Sequence, residues 1–363
     1  MDSSYRTVDD FLCILHEEAK RKFSSSFRSP SLEKQILKSS DQYLFKKNIS
    51  LWEQDWFKNA YLTYFLFTQS SRLHYVFSKM KSHIFNAHEN IVDFGCGPGT
   101  AQKVYESLFS NHAPTQSWIN VDRSKEALKL AQLWNKNTKY RTEFIQSHKI
   151  PKAQSNNDLL IAAYSLCELE ESNSLTFNRL IGYKTLIIIE PGQKKESKKL
   201  IELRNKLIGD EGYYAYAPCP HQSLCPMTHE KKHWCHDHIE KPSFLNRFKL
   251  PFSQNKLNLS YLLLSKTAPD QKTSKQRQNF GRIVGDQRLE KGKTRVSVCF
   301  DGELSSLSWL KKTKLSIDIN RGDLIRWMDD FEKKGQEIRI FAPLQKVDEE
   351  HCDDDSGSTL PIS

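Results

Sequence analysis

The stretch Val92-Asp93-Phe94-Gly95-Cys96-Gly97-Pro98-Gly99-Thr100 decides the fold. It reads as a buried strand that ends beside an acid, breaks into three alternating glycines and opens a helix. Glycine lets the backbone turn sharply and come close to a ligand, and the first turn of the helix offers N–H groups without partners. Twenty-three residues after Gly99, a second apolar run, Ile119-Asn120-Val121-Asp122, also ends in a carboxylate. An acid there is placed to accept both hydroxyls of a ribose, the logic of dinucleotide folds. An ordinary tight turn is the alternative, but strand before, helix after and acid at the next strand end together predict a nucleoside cofactor site. Asp93 ahead of the glycines, and a spacing shorter than Gly-x-Gly-x-x-Gly, favour S-adenosylmethionine over a dinucleotide.

Working outward, further apolar runs at Phe144–Ile145, Leu159–Tyr164 and Leu186–Ile189 alternate with helical segments, and Leu257–Leu264 can add a last strand. That alternation predicts an α/β chain with a parallel sheet and crossover helices. Ala163 and Tyr164, at the end of the fourth run, stand where the methyl group would lie, with core packing an equal reading for Tyr164. Glu190-Pro191-Gly192 shapes the substrate side or is simply a tight turn. Ahead of the sheet, residues 1–88 read as helical, with a capped start at Thr7-Val8-Asp9-Asp10 and helical apolar spacing from Trp56 to Phe85. Beyond it, Arg282–Val284, Arg295–Phe300 and Leu315–Ile319 suggest a small β-rich module. The expected domains are 1–88 helical, 89–267 with a Cys-rich insertion at 217–238, 268–345 β-rich, and an acidic disordered tail at 346–363.

The bulk numbers suit this picture. The 363 residues, 38% hydrophobic and 11% aromatic, can bury one sizeable core and an added module. No apolar run is long enough to span a membrane, and the N-terminus lacks the pattern of a secretory signal or a clear transit peptide, so a cytoplasmic location is expected. The formal charge is +10, and removing the six carboxylates of 348–355 would lift it to about +16. Basic residues gather at 194–206, at 266–295 and at Lys311, Lys312 and Lys314. That pattern suits a polyanion gripped through its phosphates, or a solvated surface.

The eight cysteines point to a metal rather than to disulfides in such a compartment. Cys219, Cys225 and Cys235 follow a C-x5-C-x9-C spacing, and Cys299, in Val298-Cys299-Phe300-Asp301-Gly302, can supply a fourth thiol. Cys13, Cys96, Cys167 and Cys352 have no such neighbours. Four thiolates suit structural zinc and an iron–sulfur cluster alike. Prolines after Cys219 and Cys225 favour the cluster, whereas His221, His236 and His238 keep a Cys3His zinc site open.

At this point the ordered blocks VDFGCGPGTA, DLLIAAYSLCEL, IIIEPGQKK, APCPHQSLCPM with HWCH, and LSYLLLSK resemble the Rsm22 family of methyltransferase-like proteins of the small ribosomal subunit. GRIV, KGKTRVSVCFDGEL and RGDL carry the resemblance through the C-terminal module, over about residues 90–325. It implies a class I, Rossmann-like S-adenosylmethionine methyltransferase sheet, with the cofactor at Asp93, Gly95, Gly97, Gly99, Asp122 and Ala163. It also implies a four-iron four-sulfur cluster on Cys219, Cys225, Cys235 and Cys299, and small-subunit rRNA as partner in assembly or translation. Methyl transfer to rRNA is one expectation; a non-catalytic rRNA-binding assembly factor with a structural or sensing cluster is the other. A zinc-stapled small-molecule methyltransferase fits the basic surface less well. Methyl transfer needs alignment more than catalytic side chains, and the sequence names no catalytic base.

Overall fold

The computed structural model describes residues 7–45, 51–80, 88–109, 117–169, 174–231, 233–251, 255–269, 279–311, 318–327 and 330–347. The tail from 348, residues 270–278 of the expected linker and 315–317 of an expected strand lie outside them. Two compact units divide the chain: Met1–Gly192 with His238–Leu263, and Gln193–Asp237 with Leu264–Ser363. Residues 193–237, which the sequence grouping set within 89–267, thus associate with the C-terminal residues.

The first unit opens with α1 (Val8–Lys22), α2 (Ser24–Phe27), α3 (Leu32–Phe45), α4 (Asp55–Ala60) and α5 (Leu66–Ser78); a π-helical turn, Tyr61–Phe65, joins the last two. Thr7 starts α1 as its sequence suggests, its hydroxyl accepting from the Asp10 N–H at 3.1 Å. Asp9 and Asp10 in the first turn match the positive end of the helix. Phe11, Leu12, Leu15 and Ala19 recur at helical spacing and form its buried face.

The sheet then follows as β1 (Asn90–Phe94), α6 (Thr100–Leu108), β2 (Ser117–Asp122), α7 (Lys125–Trp134), β3 (Arg141–Gln146), β4 (Leu159–Ala163), α8 (Ser174–Leu180) and β5 (Thr185–Pro191). The chain gives α9 (Lys194–Asp210) and β6 (Tyr214–Ala217) to the second unit, then returns with β7 (Asp237–Glu240) and β8 (Lys256–Ser265). Within the first unit the order is β3-β2-β1-β4-β5-β8, with β7 on β8. The first five strands are mutually parallel. Nearly every residue of β1, β2, β4 and β5 is buried, which is why they read as continuous apolar runs instead of alternating ones. Register pairs Phe94 with Val121 on one side and with Ala162 on the other. The glycine loop, Asp122 and residues 163–165 therefore leave the sheet at the same edge, the carboxyl edge where such sheets bind ligands.

The second unit holds α9, β6, the cysteine loop and a sheet of β9 (Phe280–Ile283), β10 (Arg288–Leu289), β11 (Lys293–Phe300), β12 (Glu303–Leu310), β13 (Leu324–Arg326), β14 (Phe331–Lys334), β15 (Glu337–Ile340) and β16 (Gln345–Lys346). The order is β14-β15-β12-β11-β9-β13-β16, with β10 on β11. Asp301 and Gly302 both have positive φ and join β11 to β12 in a two-residue hairpin turn. Val296, Val298, Leu307, Trp309, Ile325 and Ile338 form its core. Of the expected third strand only its end is described, and there Ile319 is buried but lies in no strand.

Candidate functional site

The strand end at Asp93 is followed by Gly95, Gly97 and Gly99, whose φ values of 71°, 53° and 75° are all left-handed. Only glycine takes that region without strain. The Gly95 and Cys96 N–H groups donate to the Val121 carbonyl at 2.8 and 3.1 Å, tying the loop to the end of β2. A side chain at Gly95 would collide with Ser165, whose Cβ is 2.4 Å from the place it would take. The loop and the segment after β4 are therefore packed against each other because the glycine is there.

Asp122 sits 7% exposed at the end of β2. Its Oδ2 accepts from the Gly97 N–H at 2.9 Å and its Oδ1 from the Ser124 N–H at 2.8 Å. The Arg123 N–H also bonds this carboxylate, and a carboxylate has about four acceptor directions, so one is left for a ribose hydroxyl. Burial raises the Asp122 carboxyl above its ordinary range against the pull of these N–H donors. Asp93, buried and close to that charge, is pushed up to about 8, burial being the larger cause. Its Oδ2 has no hydrogen-bond partner, and neither do the buried hydroxyls of Ser165 and Tyr164. Orphaned buried polar atoms of this kind beside a glycine loop fit a polar ligand such as a nucleoside.

Beyond β4, Tyr164 has a left-handed φ of 59°, unusual for an aromatic residue, and its N–H donates to the Ile189 carbonyl at 2.7 Å. Burial pushes its hydroxyl up to about 12. The Arg72 guanidinium lies 5.4 Å from the centre of its ring. Glu190, at the end of β5, is 3% exposed and accepts from the N–H groups of Leu166 and Cys167 at 3.1 and 3.2 Å. Burial moves its carboxyl up to about 7, and its Oε2 is unpartnered.

Three residues here escaped the sequence reading. Trp52 covers the loop, with its Cζ2 3.3 Å from where a Gly97 side chain would start, and the Tyr61 ring follows 4.7 Å from the indole. The π-helical turn begins at Tyr61, and such turns mark functional positions in helices. The Tyr61 hydroxyl is raised by burial and by the nearby carboxyls of Asp122 and Asp93. Arg72, from α5, is the third. For Trp52 and Tyr61 the signal was an aromatic crowding in 51–65 that helical spacing alone does not explain; Arg72 gave none. The six expected residues do meet: Asp93, Gly95, Gly97, Gly99 and Asp122 as described, with Ala163 one position past the Phe94 partner Ala162.

In the second unit Cys225 and Cys299, each 8% exposed, share one buried cluster with Cys235 packed against it. Burial raises the Cys299 thiol, and the charges of Cys219, Cys235 and Cys225 oppose its ionisation further. Burial and the same neighbours push Cys225 up to about 12. Among the described residues no group of three or more His, Cys, Asp or Glu side chains is arranged to hold a metal ion. Of the histidines considered, His221 reaches the Cys299 sulfur at 3.3 Å, His236 bonds the Trp234 carbonyl and His238 bonds Asn258. Cys13 is exposed, Cys96 lies in the glycine loop and Cys167 sits under Glu190.

Two arginines accompany these thiols. Arg204 of α9, 1% exposed, donates from Nε to the Cys219 sulfur at 3.1 Å, and from its other nitrogens to Asn205 Oδ1 and to the carbonyls of His221 and Ser223. No carboxylate is among those partners. A buried guanidinium needs a counter-charge, and sulfur is the one acceptor in this set able to carry it. Arg282 of β9 donates to the Cys235 sulfur at 2.9 Å and pairs with the buried Asp237.

The strand order with a glycine loop after β1 and an acid after β2 is that of the class I S-adenosylmethionine methyltransferase fold. Similar solved structures include a Pyrococcus horikoshii protein described as a candidate RNA methyltransferase, 13% identical over 56% of this chain and 86% of that one, TM-score 0.35. The 16S rRNA methylase RmtB is 11% identical over 69% and 90%, TM-score 0.34. A Pyrococcus abyssi tRNA (uracil-54, C5)-methyltransferase bound to S-adenosyl-L-homocysteine is 12% identical over 54% and 38%, TM-score 0.33. The fold assignment rests on strand order and loop, not on these likenesses. No curated protein matches in sequence. A family model described as mitochondrial small ribosomal subunit Rsm22 matches residues 58–331.

Proposed function

The chain belongs to the Rsm22 family of small ribosomal subunit proteins, and from that premise we propose that it binds S-adenosylmethionine in its first unit, carries an iron–sulfur cluster in its second and works on small-subunit rRNA. The observation that carries the cofactor reading is the bond from the Gly97 N–H to the Asp122 carboxylate, which places the acid at the end of β2 against the glycine loop. S-adenosylmethionine would lie along the glycine loop with its ribose on Asp122, and it supplies an electrophilic methyl group. Tyr164 and Glu190 would line the acceptor side, where Glu190, titrating near neutrality, suits a proton acceptor.

The cluster reading draws on the family, on the shared buried cluster of Cys225, Cys235 and Cys299 and on the guanidinium of Arg204 beside Cys219, whose partners include no carboxylate. Thiolates closed on a single zinc, at about 2.3 Å each, would form a tight knot. The family resemblance favours a polynuclear occupant on Cys219, Cys225, Cys235 and Cys299 over zinc. The rRNA reading draws on the net charge of +10 and the lysines of α9, among which Lys194, Lys195 and Lys206 are exposed.

A second reading, an rRNA-binding factor without turnover, is favoured by one observation: Trp52 lies across Gly97, and Gly97 to Thr100 are all buried. The test is calorimetric titration of the full chain with S-adenosylhomocysteine, then incubation of labelled S-adenosylmethionine with small-subunit rRNA. Binding with label transfer supports the enzyme, and binding without transfer supports the second reading. No binding removes the cofactor from both.

A further inference from the structure

We propose that Arg204 and Arg282 are positioning residues for the four-thiol centre, donating to the sulfurs of Cys219 and Cys235 and thereby favouring the more electron-rich state of a bound cluster. This rests on the cluster reading above. Arg204 is held on every side: Asn205 Oδ1, the His221 carbonyl and the Ser223 carbonyl take its other donors at 3.0, 2.9 and 2.7 Å. Its Nε is thus fixed on the Cys219 sulfur. Asn205 extends the arrangement, accepting from the Cys225 N–H at 2.9 Å and donating to Thr228 at 2.9 Å. One helical turn of α9 therefore sets the conformation of the loop that carries two of the thiols.

The charges differ between the two arginines. Arg282 is matched by Asp237, which is wholly buried, whereas the partners of Arg204 include no carboxylate. A guanidinium does not lose its proton in a protein, so both charges are constant with pH. Hydrogen bonds to sulfur and local net charge are the levers by which a protein sets the potential of an iron–sulfur cluster. Adding one electron makes and breaks no bond and moves no proton. It places one more negative charge beside an unmatched positive one, so Arg204 acts more strongly than Arg282.

The full chain would be purified without oxygen, its iron and sulfide counted, and the cluster reduced stepwise with dithionite while absorbance and paramagnetic resonance are followed. Arg204→Gln, equally loaded, is expected to have a midpoint potential more negative than the parent chain. Arg204→Lys, which keeps the charge, should shift less, and Arg282→Lys less again. A residue that merely anchors the loop would lower loading or thermal stability and leave the midpoint of the loaded fraction where it was. An unchanged midpoint in loaded Arg204→Gln overturns the proposal while the cluster reading stands. Should Arg204→Gln take up no iron, loaded Arg282→Gln decides instead: a midpoint more negative than that of the parent chain supports the proposal, and an unchanged one overturns it. A parent chain holding no iron and sulfide ends the cluster reading itself, and is recognised before any potential is measured.

Discussion

A carboxyl that keeps its proton to about pH 8, as Asp93 does, makes stability depend on pH in a definite sense. In the unfolded chain the same group ionises near 3.8. Between these values the folded protein binds more protons than the unfolded one, so stability falls as pH rises through the window and is lowest above it. Glu190, lifted from 4.5 to about 7, adds to the same trend. Asp93→Asn is expected to flatten the profile and to gain on the order of 1–3 kcal/mol at pH 8 over pH 5, read from urea unfolding. An equal loss at both pH values would sink this account. Gly97→Arg forces a side chain into a left-handed residue facing Trp52. It should abolish S-adenosylhomocysteine binding while leaving iron and sulfide content unchanged. At this scale the glycines and Asp122 were legible because their spacing is a local signal. Arg204 was not, since a lysine-rich helix reads as solvated and only tertiary packing shows which of its cations is buried.

Among the elements, β1, β4 and β5 were legible as continuous apolar runs, the pattern of strands covered on both faces. β12 was missed: in Glu303-Leu304-Ser305-Ser306-Leu307-Ser308-Trp309-Leu310 serines interrupt the apolar positions, yet Ser305 and Ser308 are buried with them. Leu307, fully buried at the centre of that strand, gives a direct check, because Leu307→Ala should cost about 2–5 kcal/mol. A loss below that range in thermal or urea unfolding would mean the second sheet is not packed as described. The segment 51–65 is the other surprise, since its cover over the glycine loop is a long-range contact with no sequence period. Trp52→Ala uncovers Gly97 and is expected to tighten S-adenosylhomocysteine binding several-fold by calorimetry. Weaker binding would instead make the indole a wall of the site.

For the whole molecule, two units with separate candidate ligands should answer to them separately. S-adenosylhomocysteine is expected to raise the melting of the first unit, and an iron chelator to lower that of the second, each seen as a shift of one calorimetric transition. A single transition moved by both would show that the units melt together. RNA binding driven by a net charge of +10 should weaken by about tenfold or more from about 50 to about 200 mM salt. Salt-independent binding would reject a phosphate-led interface. The interleaving of the units has a consequence for synthesis. A nascent chain emits β1 to β5 first, then Cys219, Cys225 and Cys235, then β7 and most of β8, and only afterwards the β11 strand bearing Cys299. On the proposed cluster reading, three thiols would wait on the ribosome for the fourth, open to oxidation or to the wrong metal, until most of the chain has been made.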